Sequence, residues 1–122
     1  MNVFDSSALL CYLQGEDGSP LVEAALEEGG GACGAANWSE VAQKVRSHGR
    51  DWPLARSLLL SYGLLIEPVT VEDAERAAGG WRSGSGLSIA DRLCLALGER
   101  LDAAVFTADG EWGSGGRIRQ IR

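Results

Sequence analysis

Short apolar runs along this chain alternate with longer segments that repeat apolar residues every three or four positions. Val3-Phe4 reads as a strand start, and Ser6 or Ser7 caps a helix through Leu13. Residues 15–20 read as a turn. Leu21, Val22, Ala25 and Leu26 mark a helical face over 21–28, which Gly29-Gly30-Gly31 ends. Residues 32–36 are small and uncharged, the pattern of a buried strand. Asn37 caps the next helix, with Glu40 in its first turn, to about His48. Asp51, with Pro53 just inside, opens a helix through Tyr62. Residues 64–69 form a strand and 70–78 a helix. Residues 79–86 are a Gly/Ser-rich connection with no Lys followed by Ser or Thr, so not a phosphate-cradling loop. Ser88 caps a helix over 89–101, nearly apolar along its length and therefore central. Residues 103–106 are a strand, Asp109-Gly110 a turn, and 118–121 a last strand.

Strands that alternate with helices imply an α/β domain: a mostly parallel sheet covered on both faces. At 122 residues the expectation is a single domain, 1–122, with no repeats and no linker. In such sheets ligands gather beyond the carboxyl ends of the strands. An apolar content of 45% with 23% charged residues fits a soluble globular protein. Cys11, Cys33 and Cys94 each sit in an apolar run without a C-x-x-C pair. They read as reduced core thiols rather than as a disulfide framework or zinc site. The opening residues carry no basic or apolar leader and no apolar run could span a bilayer, so a cytoplasmic protein is expected.

Net charge is −6, which opposes nucleic-acid binding. The candidate acids below account for four of those charges, and divalent ions would offset them. The basic residues are ten arginines and Lys44 alone, which favours planar, bidentate phosphate contacts.

Four acids fall at one edge of the expected sheet. Asp5 ends the first strand, and Asp109 lies just beyond Val105-Phe106. Glu40 and Asp91 open helices entered from strand ends. Crowded carboxylates repel unless cations neutralise them. Oxygen ligands without a His or Cys cluster suit Mg²⁺ or Mn²⁺. Each acid also has a structural use: Asp91 and Glu40 stand at capping-box spacing after Ser88 and Asn37, and Asp109 suits a turn. Asp5, between an apolar strand and an apolar helix, is expected to be buried. Glu72 and Asp73 also open a helix after a strand, so position alone does not exclude them.

Val3-Phe4-Asp5-Ser6-Ser7, Asn37-Trp38-Ser39-Glu40-Val41, Leu87-Ser88-Ile89-Ala90-Asp91-Arg92 and Val105-Phe106-Thr107-Ala108-Asp109 together resemble the four acidic motifs of PIN-domain ribonucleases. The nearest likeness is to VapC toxins of prokaryotic toxin–antitoxin pairs, and it covers essentially the whole chain in order. The resemblance implies a three-layer α/β/α fold of sheet order 3-2-1-4-5, which moves Glu72 and Asp73 away from the site. It implies metal-dependent hydrolysis of RNA, leaving a 5′-phosphate and a 3′-hydroxyl. Asp5, Asp91 and Asp109 would hold the main ion, and Glu40 would contribute directly or through water. It further implies a homodimer silenced by a VapB-like antitoxin. One feature departs from the family pattern, while Trp112 stands at a position often aromatic in the family. Gly110-Glu111 follows Asp109 where a basic residue is common, and Glu111 would join the outer metal shell or face solvent. Trp112 suits packing.

Ser7 and Thr107 stand where they could hydrogen-bond the carboxylates, or serve helix entry and strand packing. Arg82 and Arg92 are the expected RNA contacts, Arg92 by adjacency to Asp91. His48, beside Gly49, suits a helix end. The alternatives are a PIN-fold RNA-processing nuclease outside a toxin–antitoxin pair and a non-catalytic metal-binding or signalling module. A phosphoacceptor domain would want paired acids after the first strand and a late lysine. A haloacid-type phosphatase would want Asp where Ser7 stands.

Overall fold

A computed structural model describes all 122 residues. The strands are β1 (Asn2–Phe4), β2 (Ala32–Gly34), β3 (Leu65–Glu67), β4 (Ala104–Thr107) and β5 (Ile118–Gln120). They form one sheet of order β3-β2-β1-β4-β5, and every neighbouring pair is parallel. The helices are α1 (Ser6–Gln14), α2 (Ser19–Glu27), α3 (Ala35–Ser47), α4 (Trp52–Leu60), α5 (Val71–Gly79) and α6 (Ile89–Arg100). A 3₁₀ turn, Gly110–Trp112, follows β4. No helix is long and apolar enough to cross a membrane.

Successive strand residues point to opposite faces, and the core divides accordingly. Phe4 and Cys33 pack with Leu9, Val22, Val41 and Leu59 from α1–α4. Val3, Ala32 and Val105 face the other way, against Cys94 and Leu97 of α6 and against Trp112. The three layers and the strand order match the expectation from sequence. All three cysteines are buried and unpaired in disulfides.

Local chemistry moves several boundaries. Asp5, rather than Ser6 or Ser7, is the N-cap of α1: its carboxylate accepts the Ala8 amide at 2.8 Å. Residues 15–20 are not all turn, because α2 begins at Ser19 with Pro20 in its first turn. The strand expected over 32–36 ends at Gly34, which is itself the N-cap of α3 and offers no side-chain bond. Asn37 therefore lies inside α3, 1% exposed, and does not cap it. Glu40 accordingly sits one turn deeper than expected, beyond the first turn. Elsewhere the caps are as read. Asp51 caps α4, while Thr70–Asp73 and Ser88–Asp91 form reciprocal capping boxes on α5 and α6.

Candidate active site

Parallel pairing of β1 with β2 and β4 brings Phe4, Gly34 and Thr107 to one sheet edge. Asp5 leaves that edge directly, its amide donating to the Phe106 carbonyl at 3.1 Å. Asp5 as a whole residue is 3% exposed. The Thr107 hydroxyl donates to Oδ2 at 2.6 Å, and the Ser7 hydroxyl lies 2.8 and 2.9 Å from the two oxygens.

Both hydroxyls are oriented by the segment after β4. The Ala108 amide donates to Ser7 Oγ at 2.9 Å, and the Asp109 amide donates to Thr107 Oγ1 at 3.0 Å. A hydroxyl whose oxygen already accepts turns its proton outward, here to Asp5, and such chains strengthen one another. Two amides thus act through two hydroxyls on one buried carboxylate. Even so, burial pushes the Asp5 carboxyl up to about 6. The Thr107, Ala8 and Ser7 bonds oppose this rise, and the charge of nearby Asp91 adds to it.

The other acids are each held by one oxygen. Glu40 Oε1 accepts from Ser6 Oγ at 3.0 Å and from Asn37 Nδ2 at 3.3 Å. Asp91 Oδ2 accepts the Ser88 amide at 2.9 Å. Asp109 Oδ1 accepts the Glu111 amide at 2.9 Å and caps the 3₁₀ turn. Their second oxygens carry no protein donor. Asp5 and Asp91 are close enough to sense each other's charge, and Asp5, Glu40 and Asp91 all raise the buried Cys94 thiol, after the larger effect of its burial. Asp109 joins this group through the backbone bond to Thr107 rather than through its carboxylate. No three His, Cys, Asp or Glu side chains close around a single point in this conformation.

Other candidates fall elsewhere. Asp73 is paired with Arg100 at 3.0 Å. Burial would raise its carboxyl, but the bonds from Arg100 and Thr70 prevail and lower it. Arg92 turns to α5, donating to the Ala77 carbonyl at 2.7 Å. Arg82 folds back on the Gly79 and Trp81 carbonyls at 3.0 and 2.7 Å. Glu111 is exposed, with its carboxylate packed on Gly86. Trp112 is buried in the core, as expected.

Sequence reasoning did not assign Ser6 and Asn37 to the site, although they fix Glu40. Asn37 stands three residues before Glu40 on the same helix, a spacing that signals contact once both are inside α3.

A parallel five-stranded sheet of this order between two helical layers is the PIN-like class of α/β/α fold. The PIN domain family model matches residues 3–114, and the chain belongs to that family. Among solved structures, it is similar to a chain of a toxin–antitoxin complex from Klebsiella pneumoniae. That likeness has 19% identity and a TM-score of 0.80 over 100% of this chain and 98% of the other. It is also similar to VapC20 of Mycobacterium tuberculosis, a sarcin–ricin loop cleaving toxin. Here identity is 14% and the TM-score 0.74 over 95% of each chain. At these identities the likeness establishes the fold. No curated protein sequence matches the chain.

Proposed function

We propose that this PIN domain is a Mg²⁺- or Mn²⁺-dependent endoribonuclease and the toxin of a toxin–antitoxin pair. It would act in the cytoplasm as a homodimer silenced by a VapB-like antitoxin. The observation that carries the reading is the Asp5 carboxylate, buried at the strand ends beside Asp91 and raised to about 6. A fold that desolvates one acid next to another is poised to take up positive charge there. The likeness to a chain of a toxin–antitoxin complex supports an antitoxin partner, and the likeness to VapC20 supports the toxin reading.

The donor set fits a hard divalent cation. Asp91, Asp109 and Glu40 are each anchored through one oxygen and keep the other free. Asp5, Asp91 and Asp109 would hold the ion, with Glu40 contributing directly or through water. Such an ion, when bound, supplies an activated water and polarises the phosphoryl group. The protein's own part is orientation. Ser7 and Thr107 lock the Asp5 carboxylate, while Ser6 and Asn37 aim Glu40. No protein nucleophile is apparent: all three thiols are buried, and burial pushes the Cys94 thiol well up.

The purified chain should cleave RNA with Mg²⁺ or Mn²⁺, stop in EDTA, and lose activity in Asp5→Asn. Cleavage that survives chelation or that substitution would rule the mechanism out. Growth arrest on bacterial expression, relieved by Asp5→Asn, separates a toxin from an RNA-processing enzyme or a non-catalytic module.

A further inference from the structure

Beside the acids lies a cleft of about 390 Å³ between α1, α3 and the segment after β4. Its walls join Ser7 and Asp109 to Lys44, His48 and Arg122. Helix periodicity builds it. Glu40 and Lys44 stand at i and i+4 on α3, one face in a step of about 6 Å, and His48 is the C-cap four residues further on. Ser7, Leu10 and Gln14 line the facing wall from α1. The Ser6–Glu40 bond draws the two helices together at the acid end. Lys44 is the only lysine of the chain. Arg122 is half-exposed and paired with Glu16 at 2.8 Å. In a protein of net charge −6, Lys44 and Arg122 thus line a cleft that reaches Asp109, with Glu16 as the other acid in its wall.

We infer that this cleft holds the RNA backbone flanking the scissile bond, with Lys44 and Arg122 as phosphate contacts and Glu16 restraining Arg122. The inference rests on the ribonuclease reading and gives it a binding track. Arg82 and Arg92 each turn one nitrogen to backbone carbonyls and do not line this cleft, whereas Lys44 and Arg122 do. Phosphate contacts dominate affinity for single strands and give it a salt dependence of roughly −0.7 in log–log slope per contact. An exposed ion pair such as Glu16–Arg122 is weak and yields to a phosphate.

The test uses single-stranded RNA with the full chain and its Lys44→Ala, Lys44→Arg, Arg122→Ala and Glu16→Gln variants. Cleavage with Mg²⁺ gives kcat and KM. Binding is followed by fluorescence anisotropy over a salt series, with Asp5→Asn added to each chain to prevent turnover. Lys44→Ala and Arg122→Ala should each raise KM roughly three- to tenfold, change kcat far less, and flatten the salt slope by roughly 0.7. Lys44→Arg should restore binding, and Glu16→Gln should lower KM. Unchanged KM and salt slope in both alanine variants would overturn the inference, as would a higher KM in Glu16→Gln. A flattened slope in a chain that binds but never cleaves RNA would uphold the cleft and remove the ribonuclease reading instead.

Discussion

The Asp5 carboxylate caps α1 and terminates the central strand, so a single side chain ties helix entry to the strand-end acids. Its raised pKa makes the metal-free protein pH-sensitive. The folded value, about 6, lies above the ordinary 3.8, so Asp5's stabilising contribution is complete below pH ~4 and lost as pH rises through 6. The difference is worth about 3 kcal/mol. Asn caps a helix as well as Asp does. Urea unfolding in EDTA should therefore show stability falling between pH 4 and 7.5 in the parent and nearly level in Asp5→Asn. A parallel decline in both would assign the slope to other groups. Thr107→Val removes the 2.6 Å donor while keeping shape. It should cost about 1–3 kcal/mol, more at pH 7.5 than at pH 5, because the ionised carboxylate then loses its shortest hydrogen bond.

Helix packing shows where sequence patterns suffice and where they stop. Asp91 and Asp73 were legible because a Ser or Thr three residues earlier announces a capping box. Asp5 and Asp109 were legible because each follows an apolar strand. The α3 start was not, since Gly34 caps it with backbone alone and leaves no side-chain signal. Nor were the directions of Arg82 and Arg92, because adjacency in sequence does not say which helix a long side chain leans on. The cleft of Lys44 and His48 needed the docking of α1 on α3, a tertiary event. Close approach of α6 to the sheet likewise emerges only in three dimensions. A Cβ on Gly98 would collide with the Val105 side chain of β4. Gly98→Ala should destabilise by about 1–3 kcal/mol through overpacking, despite alanine's better helix propensity. Equal or higher stability on thermal unfolding would show that α6 can shift outward freely.

At the scale of the molecule, the balance is between a stable α/β/α frame and an electrostatically uneasy edge. The two core clusters lie on opposite faces of the sheet and involve none of the four acids, so the frame persists without an ion. Asp5 and Asp91 nonetheless repel at neutral pH, and the chain as a whole carries −6. A ligand that binds only the folded state adds RT ln(1 + [L]/Kd), about 2.7 kcal/mol at a hundredfold excess over Kd. For a chain this size that is on the order of a 10 °C rise in Tm. At pH 7.5, millimolar Mn²⁺ or Mg²⁺ should therefore raise Tm, and EDTA should reverse it. At pH 5 the rise should shrink, because a proton on Asp5 competes with the cation. Asp5→Asn should abolish most of the rise at either pH, whereas Gly98→Ala, remote in mechanism, should lower the baseline and keep the increment. The pH dependence carries the argument. Nonspecific ion binding to surface acids would change little between pH 5 and 7.5, whereas binding at a carboxyl that titrates near 6 must follow that titration.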